Sequence, residues 1–149
     1  IIIKGKFSKM EKKFKFLENV AIADIAFEAY GKTLAELFEN SAYAFFDMTA
    51  NPKTIKPKIK KTIKLKNTDE KDLLYNFLSE LIFLKDSQQL IFNKVKVNIK
   101  KNQLTAVLSG DKINPEKQEL RNDIKAITLH MFNLEKLKSG YKATVVVDI

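Results

Sequence analysis

Residues 20–36, VAIADIAFEAYGKTLAE, decide the fold, because a strand and a helix meet inside them. From Ile22 to Tyr30 the run is apolar or small at most positions, as in a buried strand. Gly31 breaks it. Thr33 and Glu36 then form a capping box, threonine satisfying a free backbone N–H at the helix start while glutamate reaches back. Leu34, Leu37, Phe38, Ala42 and Phe45 follow at helical spacing, predicting a helix over 34–48. Pro52 forbids its continuation. One residue is out of place: Asp24 sits near the start of a strand built for burial, where an unpartnered carboxylate is costly.

Outward from this segment, residues 13–18 read as a preceding strand. Ile59, Ile63 and Leu65 alternate with Lys60, Thr62, Lys64 and Lys66, giving a strand with one solvated face. Thr68 caps a second helix with an acidic first turn of Asp69, Glu70 and Asp72, and Leu73, Leu74, Phe77, Leu78, Leu81 and Ile82 supply its apolar stripe. Further strands are expected at 89–92, 95–100 and 104–109, the last two joined by a hairpin at Lys101-Asn102-Gln103. SGDKINPEKQ reads as a loop, and 124–132 and 141–149 as closing strands separated by NLEKLKSG. Two helices among about eight strands with short connections predict an α+β fold of mainly antiparallel sheet. Strand–helix–strand order occurs twice.

Composition narrows the chemistry. The 149-residue chain is 45% hydrophobic and 30% charged, as in a globular protein, and carries a net charge of +9. It has no cysteine and a single histidine, His130, which excludes thiolate and multi-histidine metal sites. Arg121 is the only arginine, so the positive charge is almost wholly lysine and reads first as a solvated surface rather than a nucleic-acid groove. The alternative is an RNA-binding role for residues 53–66 and 94–101. No apolar run approaches the ~20 residues needed to span a bilayer, and the expected compartment is the cytoplasm. Residues 1–9 read as an N-terminal extension to a single domain over 10–149.

Three places could carry chemistry. Asp24, which shares a strand face with Ile22, Ala26, Glu28 and Tyr30, reads on patterning alone as a strand-edge aspartate bonded to a loop. YKATVVVDI closes on Asp148 and Ile149, whose side-chain and α-carboxylates form an oxygen-only corner suited to calcium or magnesium, or else a frayed, solvated end. In DIKAITLHMF, Lys125 could snorkel to solvent, neutralise carboxylates or contact phosphate. His130 reads as a half-buried, hydrogen-bonded strand residue. No serine–histidine–aspartate spacing supports an independent hydrolase.

Together these segments resemble the archease family. FLENVAIADIAFEAYGKTLAELFENSAYAFFDM is similar to its opening, an aromatic-Leu-Asp/Glu-His-Thr-Ala-Asp motif followed by a strand, a glycine and a helix. DLLYNFLSELIFLKD resembles its second helix, DIKAITLH its lysine segment and VVVDI its terminal motif. The motif's histidine and threonine are absent here, ENVAIAD standing where the family has DHTAD. The resemblance implies a strand–helix–strand–strand module with a second one inserted in it. It implies a non-enzymatic activator of an RtcB-type tRNA-splicing ligase, promoting GTP-dependent guanylylation and multiple turnover, or a chaperone of a tRNA-modifying enzyme. It also implies a divalent-metal site, calcium first and manganese or magnesium otherwise, at Asp24, Asp148 and the Ile149 carboxylate. Lys125 is its activation-critical candidate, and tRNA contact is expected to be weak or indirect.

Overall fold

In a computed structural model, residues 13–18 and 23–149 are described. The expected extension at residues 1–9, and Ile22 in the expected β-strand, lie outside them. The elements run β1 Phe14–Leu17, β2 Asp24–Gly31, α1 Leu34–Thr49, a 3-10 turn Pro52–Thr54, β3 Ile59–Lys66, α2 Glu70–Gln88, β4 Leu90–Lys100, β5 Gln103–Lys112, β6 Ala126–Leu137 and β7 Gly140–Asp148. The fold is α+β, with two sheets in the orders β1-β2-β7-β6 and β3-β5-β4, every pairing antiparallel. The second sheet and α2 are contiguous in sequence and interrupt the first between α1 and β6. The inserted half is a strand–helix–strand–strand unit, β3-α2-β4-β5, and the outer half has the same order in β2-α1-β6-β7 with β1 added at the edge beside β2.

The excursion is closed at its neck. Asn51 N–H donates to Glu119 O, Arg121 N–H to Thr49 O and Asn122 N–H to Met48 O, with Ala50 bridged to Leu120. Arg121 adds bonds from its guanidinium to the Asp47 carbonyl and carboxylate.

Helix α1 begins as expected. Thr33 Oγ1 accepts from Glu36 N–H at 3.1 Å, and Glu36 Oε1 accepts from Lys32 N–H at 2.7 Å, one residue further back than a standard box. The helix packs on β2 of one sheet and β4 of the other, so Leu37, Phe38, Ala42, Phe45, Phe46 and Met48 bury residues on several sides. Phe38 stacks on Phe77 of α2 at 5.8 Å, and Phe46 meets Phe92 of β4 at 6.3 Å. Burying such side chains contributes about 1.5–3 kcal/mol each and joins both sheets into one core.

Several boundaries differ from the sequence reading, each for a local reason. The cap of α2 is Asp69, whose Oδ1 accepts from Lys71 and Asp72 N–H, and not Thr68. Gln89 is not a strand residue; it ends α2 in the left-handed region at φ 55°. Segments 90–92 and 95–100 form one strand, β4, because Asn93 is accommodated as a bulge and its Nδ2 donates to Pro52 O and Ile55 O. Among the described residues seven strands result rather than eight. The first four residues of the expected SGDKINPEKQ loop extend β5 to Lys112, and most of NLEKLKSG extends β6 to Leu137. The β4–β5 hairpin turns on Lys101 and Asn102, at φ 49° and 65°, the left-handed pair of a two-residue I′ turn.

On its outer face the first sheet pairs its charges. Glu28 of β2 receives Lys15 of β1 and Lys142 of β7, each at 3.2 Å, and the Tyr30 hydroxyl donates to it at 2.7 Å. Burial alone would raise the Glu28 pKa, but the hydrogen bonds from Tyr30, Lys15 and Lys142 outweigh it and hold the carboxyl below its usual value. A depressed carboxyl stabilises the fold above its unfolded pKa, and that contribution disappears as pH falls through the folded value. Glu28→Gln is therefore expected to cost roughly 1 kcal/mol at pH 7, allowing for an open rim, with the two melting curves converging in acid. At the other end of β2, an alanine Cβ at Gly31 would collide with the backbone N and Cα of Leu37. Gly31→Ala should lose about 1–3 kcal/mol in a denaturant titration, since backbone atoms cannot rotate away.

Candidate functional site

Strand β2 enters the first sheet at Asp24 and β7 leaves it at Asp148, and the antiparallel register sets these two residues opposite each other. Ile149 N–H donates to Ala23 O at 2.9 Å, so positions 23 and 149 form the hydrogen-bonded pair. Asp24 and Asp148 are then a non-hydrogen-bonded pair, in which side chains stand closest. The same bond holds the Ile149 backbone, and with it the α-carboxylate, beside the start of β2. Lys125 joins from a third strand: its N–H donates to Asp148 O at 2.8 Å, just before β6 begins at Ala126, itself in register with Asp148. Its side chain is exposed. Residues 24, 125, 148 and 149 thus collect at one end of one sheet.

Electrostatically this corner is poor in compensation. The Asp24 pKa is raised, first by a hydrogen bond with Asp148, then by burial and by the Asp148 charge, while His130 acts in the opposite sense. Two carboxylates forced together in this way share a proton or share a cation. Among the described residues no three acidic or histidine side chains cluster as a metal cage; the corner holds the Asp24 and Asp148 carboxylates, with the Ile149 backbone beside them. Carboxylate oxygens are hard donors, which suit calcium, magnesium or manganese better than zinc.

Sequence reasoning passed over two features beside this corner. β6 loses register against β7 between Thr128 and Asn133, and this irregularity throws Leu129, His130 and Met131 outward. Leu129 is 72% exposed and Met131 55%, with Met131 at φ 59° in the left-handed region that a methionine rarely enters. His130 is exposed rather than half-buried as expected, near enough to Asp24 to oppose its pKa rise. Thr128 Oγ1 is buried with no hydrogen-bond partner among the described residues, two residues along β6 from Ala126, the register partner of Asp148. The sequence signal was the alternation itself: Ile127 and Phe132 are both buried yet five apart, a spacing that two-residue periodicity cannot meet without an extra residue. A cavity of about 630 Å³ at the far end of β2, lined by Tyr30, Asn40, Tyr43 and Tyr141 among others, contains none of the candidates.

Comparison with known proteins places the fold. The model of the Archease protein family (MTH1598/TM1083) matches residues 14–149. An archease of Thermococcus kodakarensis is 39% identical over 143 residues, covering 93% of this chain and 99% of that protein. One from Methanosarcina mazei is 37% identical over 143 residues, covering 93% and 97%. The solution structure of protein 1598 of Methanobacterium thermoautotrophicum superposes with a TM-score of 0.75 at 33% identity, over 93% of this chain and 99% of that one. A crystal structure of a Thermotoga maritima archease, described as a possible chaperone, shares the fold with a TM-score of 0.65 at 24% identity, over 87% and 93%. With its terminal strands, both helices and inserted unit all inside the matched region, this chain belongs to the archease family.

Proposed function

We propose that the protein activates an RtcB-type tRNA-splicing ligase, promoting its GTP-dependent guanylylation and multiple turnover, through a divalent-metal tip formed by Asp24, Asp148 and the Ile149 carboxylate. The observation that carries this reading is the in-register pairing of Asp24 with Asp148 at the same sheet end as Lys125. Asp24 and Asp148 would hold the ion from two strands, and the bond from Ile149 to Ala23 fixes the third donor's backbone. A hard divalent ion bound there would supply positive charge to phosphate oxygens. Lys125, exposed and tethered among the described residues only through its backbone, can reach a triphosphate or a carboxylate of the ligase without disturbing the sheet. The role is accessory: the tip offers charge and a ligand set, and the ligase performs the chemistry. A chaperone role toward an RNA-processing enzyme, in line with the description of the Thermotoga relative, is the second reading, and the exposed Leu129 and Met131 beside the tip favour it.

Calorimetry should show about one calcium or manganese ion bound per chain, and Asp24→Ala should abolish that binding while the protein remains folded by circular dichroism. Retained binding in the variant would exclude Asp24 as a ligand. In a multiple-turnover RNA-ligation assay with the cognate ligase, the wild-type protein should accelerate turnover, and Lys125→Ala should lose at least about tenfold of that acceleration with an unchanged melting temperature. No acceleration by wild type would overturn the ligase reading.

A further inference from the structure

The inserted sheet has an outer face that the metal tip does not use. Its inner face, with Ile63, Leu104, Ala106, Leu108, Val95 and Val97, is buried in the core. On the outer face β5 runs in the middle and β3 and β4 form the two flanks. Register sets Lys60 and Lys94 on either side of Ser109, and Lys66 and Lys100 on either side of Gln103. Between these rows, Thr62 and Lys96 flank Val107, and Lys64 and Asn98 flank Thr105. Six of the eight flanking positions are therefore lysine, all exposed, and the four rows contain no carboxylate. Asp111 lies beyond the last row, beside a groove of about 500 Å³ that adds Lys56, Lys58 and Lys117.

A lysine-rich composition alone would scatter these charges among acidic partners, as it does around Glu28 on the other sheet. Here none of the six reaches a carboxylate among the described residues. Lysine also guards exposed sheet edges, and β3 and β4 are edges. One or two charges per edge serve that purpose, whereas three on each, with lysines in both flanking positions of the first and last rows, repel one another and destabilise the free protein for no gain in folding. The geometry suits a linear polyanion. Rows are about 6.8 Å apart and the two lysine columns about 10 Å apart, with the hydroxyls of Thr105 and Ser109 between them and that of Thr62 within the β3 column.

We propose that the outer face of the inserted sheet binds the phosphodiester backbone of RNA. The choice of RNA rests on the ligase reading above; the choice of a phosphate backbone rests on the face itself. No aromatic side chain stands on the four rows to stack bases, and no arginine stands there to fork onto a base edge, so binding is independent of sequence and steeply dependent on salt.

The test is retention of a short labelled RNA by the full chain, without ligase, between about 50 and 200 mM salt. The triple variant Lys64→Gln, Lys96→Gln, Lys100→Gln should lose at least about tenfold in affinity, and its salt slope should fall by about 2. Lys32→Gln, Lys71→Gln, Lys138→Gln removes the same charge from exposed positions elsewhere and should change affinity less than about threefold. Equal losses in both triples, no retention by wild type, or equally tight binding of poly-glutamate would overturn the proposal. Failure here with ligase stimulation intact removes the RNA face alone; lost stimulation with RNA retention intact removes the ligase reading alone.

Discussion

Everything at the tip depends on one pairing. The last strand lies antiparallel on β2 from Gly31–Tyr141 to Asp24–Asp148, and this register brings two carboxylates together from opposite ends of the sequence. A slip of one residue would send Asp148 to the other face and Val147 outward. The alternation Val145, Val147 and Ala143 inward against Ile25, Phe27 and Ala29 resists that slip, because all six are fully buried. The hydrophobic core thus sets the distance between two acids that would otherwise separate.

The two sheets treat charge in opposite ways. On the outer frame, Lys15, Glu28, Tyr30 and Lys142 satisfy one another, leaving the Asp24–Asp148 end as the exposed imbalance, and a negative one. The inserted sheet carries an unrelieved positive imbalance over a flat surface. A protein with a net charge of +9 therefore has a localised acidic point, and the two regions suit ligands of opposite sign.

Local rules were legible wherever one element determined its own form. Thr33 and Glu36 marked the start of α1, and the Ile59, Ile63 and Leu65 alternation marked β3, because capping and period depend on near neighbours. Asn93 was illegible for the converse reason: a bulge is fixed by what the partner strand and a distant loop require, here Gly110 and the carbonyls of Pro52 and Ile55. The site divides the same way. Patterning marked Asp24 and Asp148 as oddities in apolar strands, but nothing in either strand names the other. Their grouping came from the family resemblance, and the register now gives it a geometric basis.

The hydrogen bonds joining residues 48–51 to 119–122 carry a consequence for how the chain assembles. The outer frame has to bring β2 and β7 together across a long stretch of polypeptide, at an entropic cost that grows with the length of the loop. Once the inserted unit forms and ties its own entrance to its exit, that stretch behaves as a short connection between α1 and β6. Early formation of the insertion would thereby speed completion of the frame around it, giving the smaller sheet a kinetic task in addition to whatever it binds.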